Sequence, residues 1–193
     1  CFEHAEWQAL QKNSSQKIDT VEVGAGNGLF SVELATRYPK KQFVAMDVKA
    51  DRLQKGAYEA EARGLTNIRF IRTRADQLPE LFTAGSITNI WVTFPDPYPK
   101  KGSAGRRLTH PTFLAVYAVL LKKRGTLFLK HDSPKFFSWS LEQLVLGHWR
   151  FTELSFNLHD SELSSDYKII TTYEQKWLGN DAVIGFVAAH PNV

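Results

Sequence analysis

Val21-Glu22-Val23-Gly24-Ala25-Gly26-Asn27-Gly28 decides how the rest of the chain is read. A β-branched run leads into three glycines at alternate positions, and Leu29, Val32, Leu34 and Ala35 then recur at helical spacing. Glycine lets the backbone turn tightly and lie close to a ligand, so the stretch reads as a strand, a cradle and the helix that follows it. Taken alone it also fits a tight strand-to-helix turn that holds nothing.

Outward from this stretch, short apolar runs alternate with helical patterns, which argues for βα units around a mainly parallel sheet. Strands are predicted at Ile18 to Val23, Gln42 to Asp47, Ile68 to Arg72, Ile87 to Thr93, Gly125 to His131, Arg150 to Asn157 and Ala182 to Ala189. Helices are predicted at Leu29 to Tyr38, Ala50 to Arg63, Pro111 to Leu121 and Lys135 to Leu146, with Gly64 as a stop and Thr109 and Pro111 as start signals. Glu153 to Asn180 is polar and lacks a clean period, so it reads as a long functional loop with a short helix near Tyr173 to Leu178. The expected architecture is one α/β domain over residues 1–193, Rossmann-like, with a seven-stranded mostly parallel sheet, one antiparallel edge strand and helices on both faces.

Composition narrows the classes. The longest apolar runs, such as Phe113 to Leu121, fall well short of the ~20 residues of a membrane span, so no membrane role is expected. Cys1 is the single cysteine, which excludes an internal disulfide and a site built on several thiolates and suits a reducing, cytoplasmic setting. Met46 is the only methionine, so Cys1 is not expected to be an initiator, and a segment upstream is expected to have been trimmed or to lie outside this numbering. His4, His110, His148, His159 and His190 are too scattered for a metal site, and none is expected; His131, at a strand end, reads as a packed residue rather than a base. Trp91, Trp139, Trp149 and Trp177 read as core. The net charge of +4 and pI near 9.1 discriminate little, but Lys100, Lys101, Arg106 and Arg107 fall in a stretch of eight residues without an acid.

The glycine spacing G-x-G-x-G is one residue short of the dinucleotide fingerprint. Glu22 just before it would repel a pyrophosphate but suits a sulfonium or an ammonium group, which favours S-adenosylmethionine over a dinucleotide and leaves a dehydrogenase least supported. Asp47, at the end of the second strand, is placed to accept hydrogen bonds from both ribose hydroxyls of an adenosine; Asp76, after the third, is placed for the adenine amino group.

Some seventy residues on, Phe94-Pro95-Asp96-Pro97-Tyr98-Pro99-Lys100-Lys101 leaves the fourth strand. Three prolines stiffen it, Asp96 offers a carboxylate beside a cationic donor, and Tyr98 offers a flat face to a base. The same residues also fit a proline-rich turn with Tyr98 packed on the core. Together with E-x-G-x-G-x-G from Glu22 to Gly28, the acids Asp47, Asp76 and Asp132, and T-x-Y-E from Thr171 to Glu174, the chain resembles the tRNA (guanine-N7-)-methyltransferase family of the bacterial TrmB type. Asp47 stands where that family usually has Glu, and Tyr98 where it usually has Trp.

The resemblance implies a class I methyltransferase fold and transfer of a methyl group from S-adenosylmethionine to N7 of a tRNA guanosine, at position 46 of the variable loop. It places cofactor contacts at Glu22, Asp47, Asp76 and Asp96, with Gly24, Gly26 and Gly28 as the cradle, and substrate contacts at Lys100, Asp132, Thr171 and Glu174. Carboxylates at Asp132 and Glu174 would match the N1 and 2-amino donors of guanine, Lys100 its O6 or a phosphate, and Lys101, Arg106 and Arg107 the tRNA backbone. Asp96 is the candidate catalytic residue. A monomer or homodimer is expected. A catalytically silent RNA-binding subunit and a methyltransferase for another substrate stand as alternatives.

Overall fold

The computed structural model describes residues 1–12, 17–175 and 183–192. Among them eight strands form one sheet: β1 (Phe2–Glu3), β2 (Thr20–Val23), β3 (Phe43–Asp47), β4 (Ile68–Arg72), β5 (Ile87–Thr93), β6 (Leu121–His131), β7 (Arg150–Ser155) and β8 (Gly185–His190), in spatial order β1-β4-β3-β2-β5-β6-β8-β7. The helices are α1 (His4–Lys12), α2 (Leu29–Arg37), α3 (Ala50–Ala62), α4 (Leu78–Leu81), α5 (Pro111–Leu120), α6 (Pro134–Leu146) and α7 (Thr172–Gln175).

β2 is buried at every residue and pairs in parallel with β3 on one side and β5 on the other. Side chains alternate between the two faces. Val21, Val23, Val44, Met46, Ile90, Val92, Leu127 and Leu129 pack under α1, α4, α5 and α6. Phe43, Ala45, Trp91, Phe128 and Phe186 face α2 and α3. On that second face the segment after β7 does the work of a further helix: Leu158 and Ile169 are buried, and Tyr167 stacks on Phe186 at 4.5 Å beside the Trp91–Phe128 stack at 4.4 Å. The predicted functional loop is thus in good part a core lid.

Two features correct the expected sheet. The chain has an eighth strand, the two-residue β1, pairing in parallel with β4 through Phe2 and Ile71. It carries no β-branched run for a sequence reading to find; α1, anchored by buried Trp7 against Phe2 and Phe82, holds it there. The reversed strand is not at the edge. β8 lies between β6 and β7, antiparallel to both. Its first five residues are buried, whereas no residue of β7 is, so the apolar strand takes the inner place and the half-polar one the rim. The final strand begins at Gly185, and Ala182, Trp177 and the end of the short helix predicted to Leu178 lie outside the described residues.

Candidate active site

The strand order changes direction between β2 and β5, the place where open α/β sheets bind ligands beyond their strand carboxyl ends. The glycine loop leaves β2 and the proline loop leaves β5, so the pairing of these two strands brings the two motifs together. They wall a cavity of about 960 Å³, shared with Asp47, Asp76 and Thr171–Tyr173. Gly24, Gly26 and Gly28 have φ of 73°, 58° and 70°, a region L side chains avoid. A methyl group on Gly28 would stand 2.8 Å from Phe70, so the loop is both strained for other residues and closed in from below.

Glu22 lines the cavity yet is only 1% exposed. Its two oxygens accept hydrogen bonds from the Ser31 hydroxyl (2.6 Å) and the Thr93 hydroxyl (2.7 Å). Burial, opposed by these hydrogen bonds and by Lys130, pushes its pKa up to about 7. Asp47 lines the cavity and accepts from the backbone N–H of Gly26 and of Lys49, both at 2.9 Å, which fixes its carboxylate and leaves each oxygen a second lone pair. Asp76 is held by Arg74 through two hydrogen bonds of 2.9 and 2.8 Å, and these hold its carboxyl below the usual range.

The proline loop is less regular than three prolines suggest, because Phe94 and Tyr98 both take positive φ. Two side chains hold it in that shape. His131 Nε2 donates to the Pro95 carbonyl at 3.0 Å while its Nδ1 accepts from Ser133 N–H at 2.8 Å, which fixes the neutral tautomer; burial likewise depresses its pKa. Nδ1 also lies 3.2 Å from Asp132, but an unprotonated nitrogen makes no ion pair. Arg107 donates to the carbonyls of Pro97 and Tyr98 at 3.0 Å each and lies 4.3 Å over the Trp139 ring. Arg107 thus holds the loop through Nε and one terminal nitrogen, beside the phosphate contact expected of it. Arg106 covers the Tyr98 ring at 5.1 Å and lines the cavity, and Asp96, Lys100 and Lys101 are exposed.

The T-x-Y-E segment is a capping box. Thr171 N–H donates to Glu174 Oε2 (2.6 Å), and Glu174 N–H returns a hydrogen bond to Thr171 Oγ1 (3.1 Å). Glu174, expected on the edge of guanine, instead has a fully buried side chain, engaged by Lys130 Nζ at 3.1 Å and His159 Nε2 at 3.1 Å. It does not line the cavity, whereas its neighbours Thr172 and Tyr173 do. Thr172 accepts from Asn27 of the glycine loop at 2.8 Å, and the Tyr173 hydroxyl donates to Asp132 at 3.2 Å.

A family model described as "Putative methyltransferase" matches residues 16–185. The chain is 38% identical over 157 residues to the tRNA (guanine-N(7)-)-methyltransferase of Staphylococcus haemolyticus, covering 81% of this chain and 72% of that one. The chain belongs to the tRNA (guanine-N7-)-methyltransferase family. The family member from Cytophaga hutchinsonii is 35% identical over 184 residues, 94% of this chain and 82% of its own. In fold, the chain is similar to the crystal structure of the 16S rRNA methyltransferase KamB, with a TM-score of 0.71 at 17% identity over 99% of this chain and 94% of that one.

Of the residues that family resemblance singles out, Glu22, Gly24, Gly26, Asp47, Asp76, Asp96, Thr171 and Arg106 line the cavity. Gly28, Lys100, Lys101, Arg107, Asp132 and Glu174 stand outside its wall. Sequence reading missed Asn27, Lys49, Arg52, Arg74 and Tyr173 on the wall, and Lys130 behind it. Asn27 and Tyr173 sit inside motifs already quoted and were open to discovery; Lys130 reads as an ordinary strand lysine until the distant segment over it is known.

Proposed function

We propose that this member of the tRNA (guanine-N7-)-methyltransferase family transfers a methyl group from S-adenosylmethionine to N7 of a tRNA guanosine, at position 46 of the variable loop. The observation that carries the reading is the cavity at the β2–β5 switch point, in which a buried acid, a positive-φ glycine cradle and the Pro95–Asp96 loop share one space. The residues suit this cofactor. About 960 Å³ is ample for a ligand of its size, and an acid in place of phosphate-binding donors favours a cation.

S-adenosylmethionine supplies an electrophilic methyl on a sulfonium. Guanine N7 presents an in-plane lone pair and no proton, so the protein has no proton to remove, and the neutral, doubly engaged His131 is consistent with that. The contribution left to the residues is alignment, where ordering is worth roughly 7–11 kcal/mol in favourable cases. In this reading Asp47 takes the ribose through its unused lone pairs, Asp76 takes the adenine amino group while shared with Arg74, and Asp96 faces the donor's positive charge. Asp132, Thr171 and Lys100 orient the guanosine; Lys101 and Arg106 meet the tRNA backbone. Glu174 and Arg107 become positioning residues. We further propose that residues 1–193 act as one catalytic unit, monomer or homodimer, in the cytoplasm where tRNA is matured.

Transfer of labelled methyl to unmodified tRNA tests this, with a tRNA carrying adenosine in place of the variable-loop guanosine as control. Label on the first alone supports the assignment. Binding of tRNA without label would mark a silent RNA-binding subunit, and equal label on both would place the methyl elsewhere.

A further inference from the structure

Lys130 is the one cation among the described residues whose side chain is fully buried and in an ion pair. It stands on β6 opposite Thr93 of β5, over the rings of Phe30 and Phe94. Burying an ammonium group is costly unless its donors are met. Here the acceptors both come from the segment leading into and forming α7: the Ile169 carbonyl at 2.9 Å and Glu174 Oε2 at 3.1 Å. These lie 39 and 44 residues further along the chain.

We propose that Lys130 is a positioning residue that clamps α7 against the cavity, so that Thr172 and Tyr173 form its wall. The chain of contacts is short. Lys130 holds Glu174; Glu174 closes the capping box with Thr171; and the helix so started carries Thr172 to Asn27 of the glycine loop and Tyr173 to Asp132. An apolar residue in this place would fill the space but would leave the Glu174 carboxylate buried with only His159 and a backbone N–H. A helix of four residues has little stability of its own, so its position is set by what grips it. The functional consequence rests on reading the cavity as the methyl-transfer site; the clamp itself does not.

The test uses the whole chain with Lys130→Met and the neutral, near-isosteric pair Lys130→Met with Glu174→Gln, whose amide oxygen still accepts from Thr171 N–H. Hydrogen exchange is measured on peptides spanning Thr171–Gln175 and on β2, β3 and β5, alongside S-adenosylmethionine affinity and kcat/KM for tRNA. In Lys130→Met, exchange over Thr171–Gln175 is expected to rise roughly tenfold or more with the strands unchanged. kcat/KM for tRNA is expected to fall roughly 100-fold while cofactor affinity stays within roughly threefold, and the double variant, which relieves the unpaired buried carboxylate but supplies no ammonium to grip α7, is expected to keep the faster exchange and the tRNA defect. Unchanged exchange over Thr171–Gln175 would overturn the clamp whatever the activity. Faster exchange with full tRNA turnover, or equal losses of cofactor and tRNA function, would overturn its role in the reaction. If Lys130→Met does not fold, the double variant decides, and wild-type exchange over Thr171–Gln175 in a folded double variant overturns the clamp. Wild-type protein that methylates no tRNA would sink the functional reading instead, with the exchange result still judging the clamp.

Discussion

Binding of a cationic donor in the cavity should expel a proton from Glu22. Its carboxyl is 1% exposed with a pKa near 7, so at neutral pH about half the ligand-free molecules carry it protonated. A protonated Glu22 must spend its O–H where the Ser31 or Thr93 hydroxyl now donates, and it offers a cation nothing. If the complex holds Glu22 ionised, the apparent dissociation constant scales with one plus the ratio of protonated to ionised acid, making binding about tenfold weaker at pH 6 than at pH 8. Calorimetry in two buffers of different ionisation enthalpy should then report roughly half a proton released per ligand at pH 7. The ligand's own α-amino group titrates in the same region, so the quantity to read is the difference between wild type and Glu22→Gln. The sign is opposite for the empty protein. A carboxyl whose folded pKa lies above its ordinary 4.5 contributes stability that is full below 4.5 and is lost as pH rises through about 7, worth roughly 3 kcal/mol. Superimposable pH profiles for wild type and Glu22→Gln would refute the reasoning.

The glycine cradle makes a graded prediction. Gly26→Ala enters open space and suffers only its φ of 58°, a cost of about 1–2 kcal/mol, whereas Gly28→Ala also drives a methyl to within 2.8 Å of Phe70; thermal melts should show at least about twice the loss for Gly28→Ala. Arg107→Ala should lower tRNA turnover and cost about 1–3 kcal/mol of stability, because the hydrogen bonds to Pro97 and Tyr98 are lost, yet leave the salt dependence of tRNA binding unchanged. Lys101→Ala should instead show an unchanged melt and a salt slope shallower by about one, read from filter binding across ionic strength. A shallower slope in Arg107→Ala would return that residue to the phosphate contacts.

The parts of this molecule that could be read from the sequence are those whose causes are local. β-branched runs between helical patterns mark Ile68–Arg72 and Ile87–Thr93 to the residue, and α2, α3, α5 and α6 to within one residue at each end. The glycines and prolines carry their backbone demands in their own covalent structure, so the two loops that wall the cavity were visible seventy residues apart. That they meet depends on β2 pairing with β5, which the strand order settles and the alternation of β and α units alone does not. What was not legible has a common form. Whether Glu174 meets guanine or Lys130, and whether Arg107 meets phosphate or Pro97, turns on which distant group lies within 3 Å, and a charged residue looks the same in either case. β8 could be recognised as a strand but not placed, since its inner position follows from its burial relative to β7 rather than from either strand alone.

Four polar side chains share a direction. Arg107, His131, Lys130 and Glu174 fall in or between the motifs that carry the family resemblance, and in this structure their polar groups go mainly to backbone carbonyls, a capping box and one another. The arrangement divides the labour. Exposed Asp96 and Lys100 on one side, and Tyr173 on the other, are left at the surface of a frame that less exposed charges make rigid. Alignment chemistry needs that division, because a methyl transfer without proton movement gains its rate from fixed distances, and a wall built on a four-residue helix and a loop with two positive-φ residues keeps those distances only if something else grips it.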